Sequence, residues 1–330
     1  MLIRATNRRA FIAALGGAVA WPLTGSGQDV AQTWPTRPLR AIVPFTAGSA
    51  VDVLPRMVFE ALSGELGQSI IVENRTGAGG TIGTAAVAKA DPDGYTILVN
   101  SSSHTVVPTL YPNAPFNTVR DFSGVIPLGS LPNVLVVAPS KGFKSLGDLV
   151  AAAKAKPGSI TYASAGIGSG THFRAERLRL SAGFEGVHVP FRGAPEAYTE
   201  VMTGRVDFFF GALASALPFI RDGKLLALAV SSPQRTSSLP EVPTTLEAGY
   251  PNSDYTFWVA VFAPAKTPKG IVEKLYQKTL KTLQSTNLPD KLATFGVEPM
   301  VLTSAELDAL VKREIAANAD VVKAANIRIE

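Results

Sequence analysis

Three stretches of this chain are arranged for chemistry, and they share one grammar: a short apolar run, a bend rich in glycine and hydroxyls, then a helix start. They are AIVPF then TAGSA with a helix from about Val51, IIVENRT then GAGG with an alanine-rich helix to Ala90, and ITYAS then AGIGSGT with a helix from about His172. Gly77, Gly79 and Gly80 let the backbone take positive φ and approach a ligand closely. The first amides of each helix have no intrahelical partner and stand at the positive end of the dipole. That is anion-binding chemistry. Three such bends imply a shared cleft, and their composition predicts a small anion held by backbone amides and hydroxyls, with Ser169 and Thr171 facing it, rather than by an arginine clamp.

Other chemistries fit less well. The Gly77–Gly83 run and Gly166-Ile167-Gly168-Ser169-Gly170 come near a dinucleotide fingerprint, but no strand-ending acid follows some 20 residues on, and neither carries Gly-Lys-Ser/Thr. His104, His172 and His188 are too few and badly spaced for a metal motif. Ser169 with His172 as base lacks the G-x-S-x-G elbow of a hydrolase. His172 reads equally as a ligand-side group or a cap, Asp52 as a ligand contact or a helix-start charge, and Arg192 as a carboxylate partner or an exposed loop residue. No catalytic residue, metal or cofactor is assigned. The competing reading is a hydrolase or nucleotide-dependent α/β enzyme on the same kind of sheet.

The elements that position these loops alternate as strand and helix. Leu39 to Phe45, Ser69 to Glu73 and Tyr95 to Asn100 read as strands around two helices, the first stopped by Gly67, which indicates a parallel, doubly wound sheet. Residues 123–133 read as a connection. After Val134 to Ala138 and a helix closed by Pro157-Gly158, the pattern restarts through Ile160, Val187, Val206 and Leu225 as a second α/β unit. A proline-rich connection over 232–253 then leads to strand Phe257 to Phe262 and a helical end. A terminal block of that size returns to the first unit, so the chain crosses twice. The expected domains are 34–130 with 254–330, and 131–253. In such folds ligands bind at the carboxyl ends of the strands.

The 330 residues, 46% hydrophobic, suffice for a substantial core, and no apolar run approaches the length of a membrane span. There is no cysteine, so disulfides, thiolate ligands and a lipoprotein anchor are excluded. The net charge of +5 is not a nucleic-acid signal, because setting aside Arg4, Arg8 and Arg9 leaves 28 of the 31 basic residues against 26 acidic ones, scattered along the chain. Those three arginines precede AFIAALGGAVA, with Ala18-Val19-Ala20 as a small-x-small cleavage site. Residues 1–20 read as a signal peptide whose Asn7-Arg8-Arg9 resembles the twin-arginine export motif, and 21–33 as a flexible lead.

The ordered set WPTRPLRAIVPFTAGSAVD, LGQSIIVENRTGAGGTIGTAAVAKADPDGYTILV, AKAKPGSITYASAGIGSGTHF, HVPFRGA, RDGKLLALAVSS, LPEVPTTLEAGY and LATFGVEP resembles the Bug family of periplasmic solute-binding proteins, the receptors of tripartite tricarboxylate transporters. The resemblance runs from Trp34 nearly to the C-terminus. It implies a two-domain α/β fold of the periplasmic-binding-protein type (Venus flytrap, type II) with two crossing strands, closing on a small organic acid. It also implies a periplasmic, monomeric receptor without cofactor, whose partner is an integral-membrane permease or a sensor kinase. By the same resemblance Thr46, Ala47, Gly48 and Ser49, with Ser164, Gly166, Gly168, Ser169 and Thr171, hold the ligand, and Gly79, Gly80 and Thr81 form the accompanying turn. The family pattern is departed from at two places. Thr46, Ala47 and Ser49 replace a proline, a proline and a glycine, and Gly211 follows VDFFF where many relatives have aspartate. Without that aspartate a ligand ammonium loses a partner, which favours a carboxylate lacking an amine.

Overall fold

The computed structural model describes residues 32–328. The expected signal peptide, its cleavage site and the lead up to residue 31 lie outside the described residues. The first lobe runs β1 (Leu39–Val43), α1 (Ala50–Leu66), β2 (Ile70–Asn74), α2 (Thr81–Ala88), β3 (Thr96–Ser101), α3 (Val107–Leu110) and β4 (Phe122–Leu131). The second runs β5 (Asn133–Val137), α4 (Leu146–Ala155), β6 (Ile160–Ser164), α5 (Gly170–Ala182), β7 (Gly186–Pro190), α6 (Ala194–Met202), β8 (Phe208–Ala212), α7 (Leu213–Arg221) and β9 (Leu226–Val230). The chain then returns as β10 (Phe257–Pro264), α8 (Lys269–Leu283), α9 (Leu288–Thr294) and α10 (Ser304–Ala324).

Each lobe is built on a five-stranded sheet, ordered β2-β1-β3-β10-β4 in the first and β7-β6-β8-β5-β9 in the second. The strands joined by crossover helices are parallel: β1 with β2 and β3, and β6 with β7 and β8. The sheets are nonetheless mixed, because the two crossing strands enter them antiparallel, a detail that the alternation of strand and helix does not show. β10 runs antiparallel to β3 and β4, and β5 antiparallel to β8 and β9. Both inserted strands arrive from the other lobe rather than through a helix packed on their own sheet, so the parallel βαβ geometry does not bind them.

One correction concerns residues 122–131, expected as part of a connection. They form the ten-residue β4, an edge strand paired with β10 from Phe257↔Leu131 to Pro264↔Phe122. Gly124, Pro127 and Gly129 hid it, and the ladder accommodates them through two register shifts. Gly129 takes φ 154°, and a side chain there would press on Val297. Only Pro132 separates β4 from β5, so the first crossing is a single residue.

Under the first sheet α1 supplies Leu54, Val58, Phe59 and Leu62 to a core shared with Ile97, Val259 and Leu275. Their spacing is that of one helical face. The second lobe has a core on each side of its sheet, with Phe208 and Phe210 facing α4 and α5, and Phe209 facing α6. Those alternating phenylalanines follow the period of a strand buried on both faces.

Candidate functional site

Between the lobes lies a cleft of about 390 Å³. The first lobe reaches it with the start of α1, namely Ser49, Ala50 and Val51, and with Gly79; the second reaches it with Gly168 to Thr171 at the start of α5. Leu131, Asn133 and Phe257, from the crossing strands, line it as well. Two helix N-termini therefore open into one space, one from each lobe.

At α5, Ser169 is the cap residue, and its Oγ accepts from the His172 amide at 3.3 Å. The Phe173 amide reaches the Ser169 carbonyl at 3.1 Å. Helix geometry leaves the Gly170 and Thr171 amides unpaired. The hydroxyls of Ser169 and Thr171 lie 2.8 Å apart, while Thr171 Oγ1 accepts from the Ala165 amide at 2.8 Å. The pair carries two protons and uses one between its members. Whichever hydroxyl donates, the other is left with a proton to offer the cleft.

Behind this loop stands His172, 5% exposed. Its Nδ1 accepts from the Gly168 amide at 3.1 Å, and burial, reinforced by His188 and Arg179, lowers its pKa to about 3. His172 is thus a neutral acceptor that shapes the loop. Ser164 Oγ accepts from the Gly166 amide at 3.1 Å and pairs with His188 Nε2 at 2.6 Å. Buried Ser164 and the left-handed Gly166, φ 117°, build the bend from beneath and do not line the cleft.

Asp52 plays the equivalent part in the first lobe. It is 3% exposed and accepts from the Gly48 amide, Arg56 Nε and Asn74 Nδ2, each at 2.9 Å. Burial alone pushes its carboxyl up, but the Gly48 amide, Asn74 and Arg56 together hold it below the usual range. Asp52 fastens the bend and is not on the cleft wall. Thr46, Ala47 and Gly48 are exposed and also off the wall. Ser49 is on it, with a buried Oγ that has no hydrogen-bond partner among the described residues.

In the second bend Gly79 alone of the three reaches the cleft, with φ 61°. Gly80 packs on Pro44 and Phe45, where a Cβ would come within 3.3 Å, and Thr81 Oγ1 donates to the Ala78 carbonyl at 2.9 Å. Arg192 is exposed on the loop after β7 and lies off the wall; its amide donates to Glu196 at 3.1 Å.

The sequence reading missed Arg174. It lies on α5, 1% exposed, and lines the cleft. Burial lowers its pKa to about 10, so it stays protonated at neutral pH. The signal was available: Arg174 follows Thr171 by three residues, which puts both on one face of a helix. An arginine therefore does stand beside the amides and hydroxyls, contrary to the expectation of a cradle without one.

The comparisons with known proteins decide the lineage. Residues 54–327 match the family described as tripartite tricarboxylate transporter family receptor. The chain belongs to that family. It is similar to the protein BugT of Bordetella pertussis, 35% identical over 302 residues that cover 91% of this chain and 93% of BugT. Among solved structures it is similar to Rpa4515 of R. palustris with adipate, at TM-score 0.78 and 32% identity, covering 89% of this chain and 99% of that one. It is also similar to MatC of Rhodopseudomonas palustris with bound malate, at TM-score 0.75 and 30% identity, covering 88% and 100%. The fold is the two-domain Venus flytrap of such receptors. A receptor of this family binds its solute and catalyses nothing, which sets aside the hydrolase and nucleotide-enzyme readings.

Proposed function

We propose that this protein is an extracytoplasmic receptor that captures a small organic carboxylate between its lobes and passes it to an integral-membrane permease. The observation that carries this reading is the meeting of two helix starts, Ser49–Val51 and Gly168–Thr171, across one cleft. Helix starts favour anions by about 0.3 to 1 kcal/mol each, and each hydrogen bond to a charged group contributes about 1.5 to 3 kcal/mol. The adipate and malate seen in two relatives are carboxylates of the appropriate size. The pairing of Leu131 with Phe257 where the chain crosses supports a hinge there, with domain limits near 131 and 254. Export through the twin-arginine route, directed by Arg8 and Arg9, places the receptor in the periplasm as a monomer.

A thermal-shift screen of the mature protein against mono-, di- and tricarboxylates tests the ligand class. A ligand that binds only the folded state raises stability by about 2.7 kcal/mol at 100 times its dissociation constant. No shift with any carboxylate, alongside a shift with amines or sugars, overturns the reading. Small-angle scattering with the binding acid should show a smaller radius of gyration as the lobes close. For the export route, Arg8→Lys with Arg9→Lys should trap precursor, and unchanged processing rejects the twin-arginine assignment.

A further inference from the structure

Arg174 is a buried cation with no counter-ion among the described residues. Its Nε and Nη2 have no hydrogen-bond partner among the described residues. The guanidinium lies against aromatic faces, 4.9 Å from the Tyr255 ring centroid and 5.6 Å from that of Phe257. Such contacts stabilise a cation while leaving its in-plane donors unpaired. Both unpartnered nitrogens are closed to solvent, so the group keeps donor capacity that nothing in the fold uses, and a guanidinium with free donors is the group that pairs with a carboxylate.

Its location sharpens the point. A Cβ built on Gly170 would lie 3.5 Å from Nη2 and 3.6 Å from Nη1, so the guanidinium adjoins the first residue of α5. A fixed positive charge and the positive end of a helix dipole thus stand side by side. They repel each other unless an anion sits between them. Arg174 also carries the one formal charge among the described residues lining the cleft, whose other walls include Phe45, Val51, Val106, Leu131 and Phe257.

We propose that Arg174 is the charged anchor of the cleft, pairing one ligand carboxylate through its guanidinium beside the Ser169 and Thr171 hydroxyls, and that the cleft selects an acid whose remaining body is uncharged and mainly apolar. This rests on the receptor reading above and deepens it, since it names the group that recognises the acid and the kind of acid recognised. A second or third carboxylate would find no second charged side chain among the described residues of the wall, only neutral groups such as Ser49, Tyr111 and Asn133, and burying a charge without a counter-charge is costly.

The test is calorimetry with 3-phenylpropionate, 3-phenylpropionamide, adipate and citrate on the wild type, Arg174→Met and Arg174→Lys. The wild type should bind 3-phenylpropionate more tightly than adipate or citrate, and the neutral amide should bind about tenfold to hundredfold more weakly than the acid. Arg174→Met should weaken the acid by a similar factor and leave the amide unchanged, with Arg174→Lys in between. In ligand-free protein Arg174→Met should keep or raise the melting temperature, because it replaces an unpaired buried charge with an apolar side chain. Acids that bind the methionine variant as tightly as the wild type overturn the anchor and leave the receptor reading intact. Adipate or citrate binding more tightly than 3-phenylpropionate overturns the apolar-body class, and Arg174→Met is then judged on whichever acid binds. Failure of every acid with wild type overturns the carboxylate reading itself together with this proposal.

Discussion

The imidazoles of His172 and His188 stack face to face, with centroids 3.8 Å apart and planes 9° from parallel. Two imidazolium ions would repel strongly at that distance. Burial lowers both pKa values, that of His172 to about 3. Because His172 Nδ1 accepts from the Gly168 amide, its own proton is assigned to Nε2. The pair is a neutral prop for the ligand loop.

The sign of its pH dependence follows. Between the unfolded value of 6.5 and the folded value of about 3 the unfolded chain holds a proton that folded His172 does not. Its contribution to stability is therefore complete above pH 6.5 and is lost as the pH falls toward 3. His172→Phe should keep the ring but flatten this part of the stability profile and loosen the loop. Urea denaturation at a series of pH values reads the effect, and an unchanged slope in the variant would remove His172 as its source.

Glu314 titrates in the opposite sense. It is part-buried on α10, where its Oε1 accepts from Trp258 Nε1 at 3.0 Å and its Oε2 lies 3.2 Å from Thr105 Oγ1. The single hydroxyl proton of Thr105 has a nearer acceptor in the Ser102 carbonyl, at 2.7 Å. A protonated Glu314 resolves the conflict by donating to Thr105. Burial of the carboxyl raises its pKa from 4.5 to about 7, against the hydrogen bond from Trp258 and the charges of Arg177 and Arg313. A raised acid stabilises the fold fully below pH 4.5, and this is lost as the pH rises through 7. Glu314→Gln, which mimics the neutral acid, should fold and should be less sensitive than the wild type between pH 5 and 8. Melting curves across that range check it; identical slopes would mean Glu314 is ionised throughout.

Much of this architecture was legible because local rules and tertiary packing agree. The stop of α1 at Gly67 is a left-handed C-cap, φ 68°, and the loops after β1 and β6 lie where strand ends must put them. What could not be read was anything decided by the other lobe. The orientation of β5 and β10 depends on where each strand enters, and β4 survives its glycines and Pro127 only because β10 shifts register to meet it. The site divided in the same way. Asp52 and His172 were visible as polar groups at helix starts, but their inward bonds to Gly48 and Gly168 depend on loop closure. Arg174 was hidden by the habit of reading an arginine in a helix as solvated.

Asp52 offers a direct test of loop fastening. Asp52→Ala releases the Gly48 amide and leaves Asn74 and Arg56 without the carboxylate they share, which should cost about 1 to 3 kcal/mol of stability. Affinity for whichever acid binds should fall by about tenfold through a disordered start of α1, although Asp52 does not line the cleft. Calorimetry at a temperature where the variant remains folded separates the two effects. Full affinity in a destabilised variant would show that the bend keeps its shape without Asp52.

The last prediction concerns Gly211, where the family resemblance leads one to expect an aspartate. A Cβ at this position would collide with Tyr198 Oη and lie 2.5 Å from its Cζ and 2.7 Å from Phe209 Cε1. Tyr198 is held there, 3% exposed, by its hydroxyl bond to the Ala212 carbonyl at 2.9 Å and by edge packing on Phe209. Glycine is needed because the tyrosine occupies the space of a side chain. Gly211→Asp alone should therefore destabilise the protein by about 1 to 3 kcal/mol from overpacking, and by more from the carboxylate forced against a phenol ring. It should not create affinity for an amino acid. Tyr198→Phe cannot relieve the clash, since the ring carbon is itself too near; Tyr198→Ala with Gly211→Asp should recover part of the loss and make room for an ammonium partner beside Ala212, which lines the cleft. Melting temperatures of the single and double variants, with calorimetry against L-aspartate, decide it. A single Gly211→Asp variant that melts like the wild type and binds aspartate would show that Tyr198 yields easily and that the missing carboxylate, not the tyrosine, shaped this wall.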